Sequence, residues 1–135
     1  MMETGRCFEV LNPYDWLPGH GENTVEIHTQ SGDLSVLIPY DSEQGELKKE
    51  LLFRQTFAFY KSAFPGVRCL DLQSSIRDDV SMGSLVEYPD SEAAQAWTQH
   101  FGGRFDVKHY RIVFMSENIL LVVFATDFIL KQVSQ

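Results

Sequence analysis

Residues 107–125 read VKHYRIVFMSENILLVVFA. In the first half, Lys108, Tyr110, Ile112 and Phe114 alternate with His109, Arg111 and Val113. That is the period of two by which a strand divides its side chains between two faces. Ser116-Glu117-Asn118 is a polar break suited to a hairpin connection. Ile119 to Ala125 is apolar almost throughout, the pattern of a strand buried on both faces. Such a strand belongs inside a sheet, so the hairpin 107–125 is expected at the sheet's centre.

The flanking segments extend this reading. On the C-terminal side, Phe128 to Val133 is expected as an edge strand or a short helix. On the N-terminal side, Ala94, Trp97 and Phe101 share one helical face. Asp90 or Ser91 is placed to cap that helix, and Gly102-Gly103 to end it. Gly83 to Tyr88 and Val67 to Leu72 read as short strands, with a polar, acidic loop from Gln73 to Met82 between them. Arg6 to Leu11 is a first strand ended by Asn12-Pro13. Pro13 to Asn23 holds two prolines and two glycines and reads as a loop. Thr24–Gln30 and Leu34–Tyr40 flank the turn Ser31-Gly32-Asp33 as a hairpin. Glu46 to Phe64 is expected to be helical, because Phe53, Phe57, Tyr60 and Phe64 recur at helical spacing and Pro65-Gly66 supplies a stop. Strand is the alternative for its second half, given the shared parity of Phe53, Phe57 and Phe59. The expected fold is α+β: a single domain, 1–135, with a mainly antiparallel sheet of about seven strands and one or two helices packed on one face.

A chain of 135 residues that is 44% hydrophobic can bury a core without a metal or disulfide. Cys7 and Cys69 have no CxxC spacing, so two buried or half-buried thiols are expected. The N-terminus lacks a basic start followed by an apolar stretch. The longest apolar run, Ile119–Ala125, falls well short of the about 20 residues of a membrane span. A cytoplasmic protein away from membranes is expected. There are 19 acidic against 11 basic residues, a net charge of −8. That disfavours nucleic acid and anionic lipid, and favours a basic protein partner if charge selects one.

No residue set announces catalysis. The four histidines, His20, His28, His100 and His109, lack zinc-helix spacing, and neither a metal nor any other cofactor is expected. Cys69, Asp71 and His109 could form a nucleophile set, although Cys69 and Asp71 share a face with Val67 that reads as core. Gly19-His20-Gly21 is half of a nucleotide fingerprint, with Thr24 where a third glycine belongs. Two features stand out instead. Residues 71–92 carry Asp71, Asp78, Asp79, Glu87, Asp90 and Glu92 against Arg77 alone. The loop Pro13–Pro18 presents Tyr14, Trp16 and Leu17 between prolines, either as partner anchors or as a lid on the core. The expected partner-binding residues are Asp78, Asp79, Glu87, Asp90, Tyr14 and Trp16.

The order Gly83-Ser84-Leu85-Val86-Glu87, Ser91, Trp97, His109-Tyr110-Arg111-Ile112 and Val122-Val123-Phe124-Ala125 resembles small bacterial proteins grouped with the immunity proteins of polymorphic toxin systems. The resemblance covers residues 83–125. It implies a non-enzymatic protein that binds and neutralises a cognate toxin, and it carries no catalytic residue across. Two other readings remain open from the residues themselves. One is a small-ligand-binding or enzymatic domain with a pocket between sheet and helix. The other is a subunit that forms homo-oligomers through a sheet edge.

Overall fold

The computed structural model describes residues 3–64 and 82–133. The expected strand Val67–Leu72, the thiol of Cys69 and the carboxylates Asp71, Asp78 and Asp79 lie outside the described residues. Seven strands form one antiparallel sheet: β1 (Phe8–Leu11), β2 (Glu26–Gln30), β3 (Asp33–Ser42), β4 (Gly45–Ala63), β5 (Leu85–Glu87), β6 (Lys108–Phe114) and β7 (Ile119–Gln132). Their order across the sheet is β1-β5-β6-β7-β4-β3-β2. The hairpin β6–β7 thus supplies the fourth and central strand, β7. Its apolar run Leu120–Ala125 is buried on both faces, as the sequence pattern requires.

One face, called inner below, gathers Leu34, Val36, Ile38, Leu51, Phe53, Tyr110, Ile112, Leu121 and Val123 into a single buried cluster. The other, outer face gathers Val107, Val113, Leu120, Val122 and Phe124. On the outer face lies helix α1 (Glu92–His100), the one α-helix among the described residues. Its Ala94 is buried and its Trp97 half-buried against that cluster. Trp97 stacks on Phe57 of β4, with ring centroids 5.9 Å apart, and Phe101 packs on it at a tilt, 4.7 Å away.

The helix expected over Glu46–Phe64 is instead the long strand β4. The spacing that looked helical arises from a break in strand alternation. Gln55 has a φ of +50°, and the pairing with β7 slips between Thr56 and Ala58. Leu51 and Phe53 therefore face inward, while Phe57, Ala58 and Tyr60 face outward. A bulge re-aims side chains in this way. It is pinned by the β2–β3 turn: Gln55 N–H donates to Asp33 Oδ1 at 2.9 Å and Thr56 N–H to the Gly32 carbonyl at 2.8 Å. In that turn Ser31 and Gly32 both have positive φ, which fits the twist of a two-residue hairpin. Of Phe128–Val133, expected as an edge strand or a short helix, residues Phe128–Gln132 are strand. They continue β7 and pair with Lys49–Phe53 of β4.

β1 and β2 follow each other in sequence yet occupy opposite edges of the sheet. The segment 12–25 that joins them closes the inner face. Ser116 in the β6–β7 turn donates to the His20 carbonyl (2.8 Å), and its N–H is held by the Glu22 carboxylate. Glu117 accepts from Val25 N–H. The same segment reaches the far end of β3, where Asn23 N–H donates to the Pro39 carbonyl at 2.7 Å. One short loop touches both places, so the sheet curls over its inner face, as twisted sheets do.

The loop's tightest point gives a direct test. Gly21 has a φ of +89°, and a Cβ there would stand 2.3 Å from Ser116 Oγ. Gly21→Ala should cost about 1–3 kcal/mol, read by urea denaturation. Gly19→Ala has open space and no positive φ and should be close to neutral. Equal effects would show that the loop is not stitched to the β6–β7 turn.

Candidate partner-binding groove beside helix α1

Ser91 starts the helix from an extended backbone, and its Oγ accepts from Ala94 N–H at 3.1 Å. That is the N-cap bond that satisfies an otherwise orphaned donor. Past the helix, Val107 N–H donates to Thr98 Oγ1 at 3.0 Å, tying the start of β6 to α1. Between these two ties runs a groove of about 320 Å³. One wall is Ala94, Gln95, Thr98 and Gln99 of α1. The opposite rim is Glu87-Tyr88-Pro89 after β5, with Asp106-Val107-Lys108 at the start of β6.

The groove carries opposed charges. Burial raises the Glu87 carboxyl above its ordinary range; Lys108 pulls it back and Asp106 pushes it further up. On the neighbouring strand, the hydroxyl of Tyr110, the cross-strand partner of Glu87, is also raised, chiefly by burial and then by Glu87, Asp127 and Asp106. Glu87 is thus a partly desolvated carboxylate beside another carboxylate, with one lysine for balance.

The expected site residues separate in space. Glu87 lines the groove. Asp90 lies just beyond it and pairs with Arg6 Nε at 2.7 Å, both side chains well exposed. Tyr14 sits at the opposite end of β5, against Gly83, where a Cβ would approach its Cε2 to 2.7 Å. Its ring is 36% exposed, enough for a partner to reach. Trp16 packs on the inner-face cluster, with its ring 5.1 Å from Tyr40 and Lys49 Nζ 5.3 Å above it. Its Nε1 is buried without a hydrogen-bond partner among the described residues. Packing on the inner-face cluster is what the lid reading expects of Trp16. The groove collects Glu87 with Asp90 nearby, and adds Asp106 and Lys108, which the sequence reading did not single out. Asp106 stands 19 residues from Glu87 along the chain. Only the long-range pairing of Glu87 with Tyr110 brings it to Glu87.

One serine–histidine pair exists here. Ser91 Oγ and His109 Nδ1 are 2.8 Å apart. Both residues are 1% exposed, and the serine oxygen already serves the helix cap. A nucleophile needs access to substrate and a base oriented by a third group. His109 Nε2 has no hydrogen-bond partner among the described residues, so this pair reads as structural. Among the described residues no group of three His, Cys, Asp or Glu side chains could hold a metal ion. No described helix is long and apolar enough to cross a membrane. Comparison with family models, curated proteins and solved structures returned no match to this chain.

Proposed function

We propose that the chain is a non-catalytic protein-binding module that receives a basic partner at the α1 groove. In its finer form the proposal is an immunity-type protein that occludes the working surface of a cognate bacterial toxin in the cytoplasm. The observation that carries the reading is the Glu87 carboxylate, partly buried beside Asp106 in an open groove. A carboxylate in that setting gains from an incoming cation, because the cation relieves both its repulsion and its lost hydration. All the residues lining the groove fall within 87–108, inside the segment that resembles immunity-type proteins. The net charge of −8 favours a basic protein over nucleic acid or an anionic membrane. Self-association through a sheet edge is a weaker proposal. The edges β1 and β2 are four and five residues long, and β2 presents exposed Glu26, His28 and Gln30, features that blunt edge pairing.

A small-ligand reading draws on one observation, the groove's volume of about 320 Å³ and its mixed lining of Gln95, Thr98 and Gln99. That size lies at the lower end for ligand sites. The experiment that separates the two is a pull-down from the source organism followed by kinetics with the double variant Glu87→Gln, Asp106→Asn. Rim charge acts mainly on association. The on-rate for a basic partner should fall roughly tenfold at low salt and lose its salt dependence, with the melting temperature unchanged or raised, since Glu87→Gln removes a desolvated charge. A partner that binds parent and double variant at the same rate would remove the groove from the interface. Recovery of a small molecule in place of a basic protein would favour the ligand reading.

A further inference from the structure

Ser91 Oγ has two neighbours. It caps α1 through Ala94 N–H at 3.1 Å, and it bonds His109 Nδ1 on β6 at 2.8 Å. One buried oxygen therefore joins the first turn of the helix to the sheet. The far end of α1 is held differently, by the aromatic cluster of Trp97, Phe101, Phe57 and Phe105.

We infer that Ser91 and His109 form an acid-sensitive clasp that fixes the N-terminal end of α1, and with it one wall of the groove, to β6. Its role as a regulator of partner binding rests on the function proposed above; the clasp itself does not.

The surroundings of His109 suit a neutral imidazole. Tyr88 after β5 and Phe124 of β7 place their rings 4.6 and 4.5 Å from it. From α1 it meets the Ser91 hydroxyl, and along β6 the charged neighbour acting on it is Arg111, a like charge for an imidazolium. No carboxylate acts on it among the described residues. Protonation turns both ring nitrogens into donors. Ser91 Oγ must then take Nδ1–H as well as Ala94 N–H, and Nε2–H remains buried without an acceptor among the described residues. A buried cation in that position is costly. Lifting the first turn of α1 exposes His109 to water and removes the cost. Burial, with Arg111 second, holds the imidazole down to about 4 in the closed state, so opening becomes easier as pH falls below the ordinary histidine range. At the aromatic end of α1 the His100 ring is exposed and makes edge contacts with Trp97 and Phe101, at 6.0 and 4.9 Å.

Hydrogen exchange tests this without a partner. Protection factors are measured at pH 7 and pH 5 for Gln95 and Ala96 in α1 and for Leu121 and Val123 in β7, in the parent and in His109→Gln. In the parent, the α1 amides should be less protected than those of β7 and should lose roughly 20-fold in protection between the two pH values. In His109→Gln that loss should disappear. If α1 and β7 share one protection factor at both pH values, the helix leaves only by global unfolding and the clasp is wrong. A His109→Gln variant that loses as much as the parent also overturns it. Should that variant fail to fold, the imidazole NMR titration of the parent decides: a midpoint below 5 supports the clasp, and one above 6 overturns it. A negative result here, with the effect of Glu87→Gln, Asp106→Asn on partner binding intact, discards the clasp alone. The converse pair of results discards the binding site and keeps the clasp.

Discussion

Phe53→Ala should lower stability by about 3–5 kcal/mol, enough to unfold a marginal domain. Phe53 has no solvent exposure. It pairs with Leu34 of β3 on one side and Phe128 of β7 on the other. Its ring also meets Tyr110 of β6, with centroids 5.4 Å apart, and Phe128 at 6.4 Å. Four strands thus share one side chain. Truncation loses its transfer energy and leaves a cavity that strands fixed by backbone pairing cannot easily collapse. Phe59→Ala is the control, on the same strand but beyond the bulge. Its ring is 40% exposed, and the change should cost less than about 1.5 kcal/mol. The measurement is urea denaturation followed by circular dichroism. If the two truncations cost the same, the inner-face cluster is not the main core.

The sequence carried the centre of the sheet because both local signals there agreed. Period-two alternation in Lys108–Phe114 and a doubly apolar run in Ile119–Ala125 admit only a strand pair, and the three polar residues between them set the turn. Helix α1 was equally legible: Asp90 or Ser91 as its cap, of which Ser91 serves, Trp97 and Phe101 on one face, and two glycines beyond its end. β4 was not, because its aromatic residues serve two different cores. Phe53 belongs to the inner face and Phe57 to the outer, with the bulge between them. No local pattern records a bulge that is pinned by Asp33 and Gly32 from another hairpin. Phe128–Gln132 was legible as strand but its partner was not, since β4 is distant in sequence.

The candidate site was legible in part. Glu87 was found from charge alone. Asp106 and Lys108 are only scattered charges in the sequence, and their relation to Glu87 depends on the β5–β6 register. The loop Pro13–Pro18 shows the limit of residue type. A tryptophan between prolines can serve as lid or anchor, and the residues that Trp16 packs on, Tyr40 and Lys49, come from β3 and β4. Tyr14, from the same loop, keeps an exposed ring at the start of β5.

Between pH 7.5 and pH 4 the parent should lose about 3 kcal/mol of stability through His109, about 2 of them by pH 5. In the folded protein, burial and then Arg111 depress this histidine from 6.5 to about 4. In the unfolded chain it titrates at its ordinary value. Between these two values the unfolded state binds a proton that the folded state refuses, so acid favours unfolding. The contribution is complete above pH 7 and is lost as pH falls from 6.5 towards 4. Other groups act elsewhere on the scale. Asp41, held down first by Asn23, Glu50 by Ser35 and Asp127 by Arg54 lose their contributions mainly below pH 4.5. Glu87, raised by burial, works in the opposite direction, its penalty easing as it protonates. The histidine is therefore isolated by difference. Urea midpoints are taken at pH 7.5, 6 and 5 for the parent and for His109→Gln. The parent's stability should fall towards that of the variant, or below it, by about 2 kcal/mol more than the variant itself loses over this range. Parallel curves would mean that His109 is protonated in the fold without cost, and that the rings of Tyr88 and Phe124, set 4.6 and 4.5 Å from it, hold an imidazolium as readily as water does.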